Sequence, residues 1–266
     1  MTNIWQLLLY QPILNALIFL YKLLFNNLGL AIIVLTVIVR FALSPIMNKQ
    51  LKSTKKMQEL APDLEKLKTK FKDDKQKLMQ AQMELYKRNG VNPASGCLPQ
   101  IVQLIILISL YQAFNLVIKP DGIEVIKKIN ESLYAFNQLS TSSLNLNFLY
   151  LNLSKPDLIK IPNFIGIPGV FVILATLFQF LSSKLMVPVV KKEEKMAEKT
   201  EGKTDDMASA MQKQMLYMFP LMTLVFGFTM PSGVMLYWLV FSLFSFIQQL
   251  IINKEGGKEL VKNGKK

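Results

Sequence analysis

Apolar residues in this chain gather into runs of roughly twenty, separated by lysine-rich or polar stretches, as membrane spans are and soluble cores are not. Five runs qualify: residues 26–47, 97–118, 165–187, 213–230 and 233–252. Only Pro231-Ser232-Gly233 joins the last two, so short a link that they must be antiparallel neighbours. Residues 1–25 are apolar too, but Gln6, Gln11, Pro12, Asn15 and Lys22 interrupt them, and Trp5, Tyr10 and Tyr21 favour a membrane–water interface. This segment reads as an interfacial helix lying along the membrane, with a spanning helix as the second reading. The fold class is therefore all-α: a polytopic membrane protein with a five-helix transmembrane core.

Between the first two spans, residues 48–92 carry twelve Lys/Arg and six Asp/Glu. Met57, Leu60, Leu64, Leu67 and Phe71 recur at helical spacing, and Met79, Met83 and Tyr86 do so again. That pattern predicts a helical hairpin turning near 72–75, with Pro62 kinking or restarting the first arm. In the loop 119–164, Ile126, Ile129, Leu133 and Phe136 share one face of a predicted amphipathic helix over 123–139. Residues 188–212 form a mixed-charge loop, and 253–266 a short basic tail.

Charge orients this arrangement. The net charge is +13, at 51% hydrophobic content and a mean hydropathy of +0.30. The hairpin, the 188–213 loop and the tail hold 23 Lys/Arg, against six on the opposite side. The positive-inside rule then puts the hairpin and C-terminus in the cytoplasm and the N-terminal segment outside.

Candidate chemistry centres on Arg40, the one charge in the first span, which shares a helix face with Thr36 and Ser44. An arginine at that depth costs roughly 2.5–3.5 kcal/mol on insertion scales. Two placements meet that cost: facing protein or a water-filled cavity, or snorkelling to the nearer interface. Gln103 in the second span needs a partner or a cavity for the same reason. Met207, Met211, Met215, Met218 and Met222 line one face at 4-4-3-4 spacing, either as ordinary packing or as a flexible surface for apolar clients. Tyr237 and Trp238 read equally as an interfacial anchor and as client contacts. With no His and one Cys, Cys97, an internal disulfide and a Cys/His metal site are excluded, and no nucleotide or nucleophile motif occurs. Neither an enzyme nor a cofactor is indicated.

The stretches GLAIIVLTVIVRFALSPI (29–46), KMQELAPDLEKLKTKF (56–71), NGVNPASGCLPQIVQ (89–103), FLYLNLSKPD (148–157), PSGVMLYW (231–238) and IQQ (247–249) resemble the YidC family, the bacterial relatives of the mitochondrial Oxa and chloroplast Albino insertases. The resemblance covers nearly the whole chain, in a short form without the large periplasmic domain. It implies a membrane insertase and chaperone of the bacterial cytoplasmic membrane, with a hydrophilic groove open to cytoplasm and lipid and closed to the outside. Arg40 would lie inside that groove, and Thr36, Gln103, Tyr237 and Trp238 fall on positions resembling groove or client-contacting residues. Implied partners are nascent membrane proteins, the lipid bilayer, ribosome and targeting factors, and the Sec translocon, with no specific DNA binding. The competing class is a small anion-binding transporter or channel, whose pathway would open to both sides.

Overall fold

Helix starts and stops here follow side chains that satisfy terminal backbone groups. The computed structural model describes residues 4–71, 74–91, 98–117, 122–140, 143–159, 161–162, 166–186 and 217–263. A π-helical turn at Gln6–Tyr10 precedes helix α1, Gln11–Leu23, where Pro12 has no N–H to give the preceding turn. Helix α2 runs unbroken over Leu28–Glu59, capped by the Asn27 side chain, which accepts from the Leu30 N–H at 3.0 Å. It therefore passes through the expected end of the first span at residue 47, with Pro45 inside it. Then come α3 (Ala61–Lys70), α4 (Lys75–Arg88), α5 (Leu98–Val117), α6 (Gly122–Ser132), α7 (Val170–Met186), α8 (Tyr217–Gly227) and α9 (Ser232–Asn263). Among the described residues, Gln6–Leu23, Leu28–Ser53 and Ser232–Lys254 are long and apolar enough to cross a membrane. Leu104–Val117, Val170–Leu185 and Tyr217–Gly227 are shorter apolar helices. The molecule is a mostly helical membrane protein.

The chain divides into two compact units. The first comprises Met1–Ala42, Val102–Phe178 and Pro220–Phe244. Its core draws on Leu14, Leu17 and Ile18 of α1, Leu28 and Ile32 of α2, Phe114 of α5, Val172 of α7 and Met235 of α9, all fully buried. In lipid, helices gain little from hydrophobicity between themselves, so close approach matters more. A side chain at Gly227 would collide with Val172, and one at Gly29 with the Phe148 ring.

Among the described residues, two antiparallel hairpins of two-residue strands stand between helices: β1 (Asn147–Phe148) with β2 (Leu151–Asn152), and β3 (Leu158–Ile159) with β4 (Ile167–Pro168). They fasten two helix starts. Asp157, fully buried, accepts the Phe171 N–H at 2.8 Å in the first turn of α7 and the Tyr150 hydroxyl at 3.0 Å. The Ser232 N–H donates to the Lys155 carbonyl at 2.8 Å and the Gly233 N–H to Leu153 at 3.1 Å, so the Pro-Ser-Gly link is held by backbone.

Helix α6 is shorter than its apolar periodicity predicts. The Asn15 side chain takes the Tyr134 N–H at 2.8 Å, and Asn130 bonds both the N–H and the carbonyl of Leu139. These side chains replace the helical partners, and the chain leaves the helix at Leu133. Phe136, expected on the buried face with Ile126 and Ile129, consequently stands 78% exposed.

The second unit comprises Leu43–Ile101, Gln179–Phe219 and Ser245–Lys266. Pro62 lies in the first turn of α3, so α2 ends and α3 restarts there, as its sequence position predicts. Helices α3 and α4 pack against each other. The seam of α4 differs from expectation: Leu78, Leu85 and Tyr86 are half-buried, whereas Met79 and Met83 are 64% and 56% exposed. One residue is about 100° of rotation on a helix, enough to carry the methionines off the seam. Elsewhere in this unit, Gln248 donates to the Asn48 side chain at 2.7 Å, and Ser182 to Gln249 at 2.7 Å.

Candidate functional site

Arg40 is only 3% exposed, although no acidic residue lies within its apolar span. What covers the guanidinium is aromatic. Its carbon lies 4.4 Å from the ring centroid of Phe241 and 5.1 Å from that of Phe244. The Phe244 ring meets Phe41 edge-on at 5.1 Å, and Tyr237 stacks at 6.2 Å on Phe241. Such cation–π contacts give about 0.5–1 kcal/mol when exposed and about 2 or more when desolvated. They offset part of the cost of an arginine at that depth. Arg40 thus faces protein.

The helical stagger of α9 creates this arrangement. Residues 237, 241 and 244 follow i, i+4, i+7, and so present three rings on one face. That aromatic stripe could have been read from sequence, yet Phe241 and Phe244 are missed by a search for polar residues in apolar runs. On the neighbouring face, Trp238 Nε1 and Ser242 Oγ are buried with no hydrogen-bond partner among the described residues. Buried polar side-chain atoms without a partner are rare in native structures.

The other sequence candidates fare unequally. Thr36 is buried, but its hydroxyl donates to the Ile32 carbonyl of its own helix at 2.6 Å. Ser44 is half-buried in the second unit. Gln103 lies in α5, but its side chain is outside the described residues, as are Met207, Met211, Met215 and the 92–97 element with Cys97. Met218 and Met222 are exposed at 37% and 38%. Among the described residues, no group of His, Cys, Asp or Glu could hold a metal ion.

Residues 19–259 match the family model described as 60Kd inner membrane protein. A protein of Fusobacterium nucleatum named membrane protein insertase YidC is 36% identical over 87% of this chain and 88% of its own. One of Bacillus anthracis named YidC 2 is 34% identical over 94% and 82%, and MisCA, an insertase of Bacillus subtilis, 32% identical over 98% and 82%. Among solved structures, that of an active YidC insertase with its first transmembrane domain resolved matches 91% of this chain at a TM-score of 0.50 and 24% identity. The chain spans 46% of the chain in that structure, and the likeness speaks for the fold alone. With nearly the whole length matched to one family model and to relatives at this identity, the chain belongs to the 60Kd inner membrane protein family, that of the YidC insertases.

Proposed function

We propose that this protein is a membrane protein insertase, moving nascent transmembrane segments from the cytoplasm into the bilayer along a hydrophilic, positively charged path that contains Arg40. It works as an insertase and chaperone, not as an enzyme. The observation that carries the reading is an arginine buried inside an apolar span, with the Phe241 and Phe244 rings over its guanidinium. An acidic client tail entering beside α9 gains a charge–charge attraction that grows as the local dielectric falls, and it outcompetes the Phe241 and Phe244 faces. The apolar part of the client then passes into lipid, where its own burial drives transfer without nucleotide chemistry.

In this reading the hairpin and C-terminus are cytoplasmic and the N-terminal segment lies outside, by the 23-to-six bias of Lys/Arg. Helix α1 is interfacial, supported by polar ties that suit a wet environment: Asn15 to the Ser132 carbonyl, and Lys22 to the carbonyls of Asn137 and Gln138. Gln103, Thr36, Ser44, Tyr237 and Trp238 line the client path, and the 207–222 methionine face receives apolar clients. The ribosome and targeting factors meet the basic hairpin and tail, and the Sec translocon is an additional partner for some clients.

The test compares wild type, Arg40→Ala and Arg40→Lys in a reconstituted insertion assay, on matched clients differing only in the charge of the translocated tail. Arg40→Ala should slow the acidic client about tenfold, the effect of losing about 1.4 kcal/mol of attraction, and the neutral client far less. Arg40→Lys should retain much of the activity, because a point charge suffices. Equal rates for wild type and Ala on the acidic client, at equal protein levels, would remove Arg40 from the mechanism.

A further inference from the structure

Two bulky apolar residues occupy backbone positions that belong to glycine. Phe25 has φ +56° and Leu149 has φ +51°, in the left-handed region where a β-carbon is strained. Phe25 is the residue just past the end of α1, where a bond from the Asn26 N–H to the Tyr21 carbonyl at 2.9 Å completes the usual glycine-type helix stop. Leu149 is the first residue of the two-residue turn between β1 and β2, another position glycine favours. Core packing does not explain either choice, since Phe25 is 90% exposed and Leu149 77%. Strain is retained at both places with the side chain directed away from the fold.

The two belong to one neighbourhood, together with exposed Phe136. Tyr21, four residues before Phe25, accepts the Asn145 N–H through its hydroxyl at 2.9 Å. Lys22 bonds the carbonyls of Asn137 and Gln138, both at 2.8 Å, beside Phe136. Phe148, adjoining Leu149, packs on Gly29 in the first turn of α2. Phe25 precedes the apolar helix Leu28–Ser53 by three residues, so this neighbourhood sits where a span meets the headgroup layer.

We propose that Phe25, Phe136 and Leu149 are lipid wedges. They enter the boundary between headgroups and acyl chains and fix the depth of this end of the first unit. The Lys22 ammonium and the Asn26-Asn27 pair, next to Phe25 in the chain, would meet the headgroups. The proposal needs only that the protein is a membrane protein; it stands whether or not the insertase mechanism above holds.

The experiment places nitroxide labels at Phe25→Cys, Phe136→Cys and Leu149→Cys, one at a time in a Cys97→Ser chain, in phosphatidylethanolamine–phosphatidylglycerol vesicles. Relaxation by oxygen and by a water-soluble nickel chelate gives the depth of each label. Labels at Ile38→Cys, on the exposed side of α2, and at Gln80→Cys, on the hairpin, serve as lipid and water references. All three should prefer oxygen and lie roughly 5–10 Å below the phosphates. Removing two wedges with Phe25→Gly and Leu149→Gly, which suit the backbone, should move the label at 136 towards water. Labels matching the Gln80 reference, or shielded from both relaxers as under a second copy or another protein, would overturn the proposal.

Discussion

An arginine buried against phenylalanine rings and a carboxylate buried against a helix start are opposite solutions to placing charge in this molecule. For Arg40 the covering rings are soft partners that a stronger anionic partner can displace. Asp157 has both carboxylate oxygens engaged, by the Phe171 N–H and the Tyr150 hydroxyl, and Gly169 is required beside it because any side chain there would strike the carboxylate. Burial, followed by the bond to Asp157, raises the Tyr150 hydroxyl above its ordinary value of 10.0. Asp157 is thus structural. Replacing it by Ala leaves the buried Phe171 N–H unpaired, a cost of about 1–3 kcal/mol, and should lower the melting temperature in detergent by several degrees. Asp157→Asn keeps one acceptor and should lose about half as much. A melting temperature unchanged by Asp157→Ala would show that water replaces the carboxylate at no cost.

Helices in this chain are placed by caps as much as by apolar periodicity. In α4 the Asp74 side chain accepts the Lys77 N–H at 3.0 Å and pairs with its ammonium at 2.9 Å. Both bonds hold the Asp74 carboxyl below its ordinary value of 3.8. A depressed carboxyl stabilises the fold above its unfolded value and loses that contribution as pH falls through the lower folded one. Amide exchange in the first turn of α4 should therefore speed up relative to its middle as pH drops below about 4. Asp74→Ala should show the faster exchange at every pH, and Asp74→Asn should remove most of the pH dependence while keeping the cap. The mostly helical membrane fold and the restart of the chain at Pro62 were legible in sequence, because apolar run length and proline act locally. The end of α6 was not, because it depends on Asn15, more than a hundred residues away, capturing the Tyr134 N–H. The α4 seam was not, because a one-residue phase error moves methionines and leucines between faces, and apolarity alone does not separate them. The aromatic cover of Arg40 needed the pairing of α2 with α9, which no single-helix pattern contains.

At the scale of the whole molecule, the basic hairpin is the part most separable from the rest. Its ion pairs Lys66–Asp63, Lys77–Asp74 and Arg88–Glu84 each close within one helix, and exposed pairs of that kind add little stability. The bonds Gln248–Asn48 and Ser182–Gln249, which tie α9 to α2 and α7 in the second unit, involve no residue between 53 and 85. Replacing 53–85 by a flexible Gly/Ser linker should therefore leave the apolar helices folded, with helical content per residue and melting temperature near those of the full chain. Insertion should nevertheless fail. The replaced segment removes eight Lys/Arg of the proposed cytoplasmic face, together with Met79 and Met83, the exposed pair that gives the hairpin an apolar surface of its own. The decisive measurement pairs a folding readout with client insertion in the same proteoliposomes. A folded, insertion-dead variant fits a hairpin that receives clients or their delivery machinery. Full insertion by a folded variant would confine client handling to the membrane-embedded helices, and a variant that does not fold would make the hairpin part of the bundle's own stability.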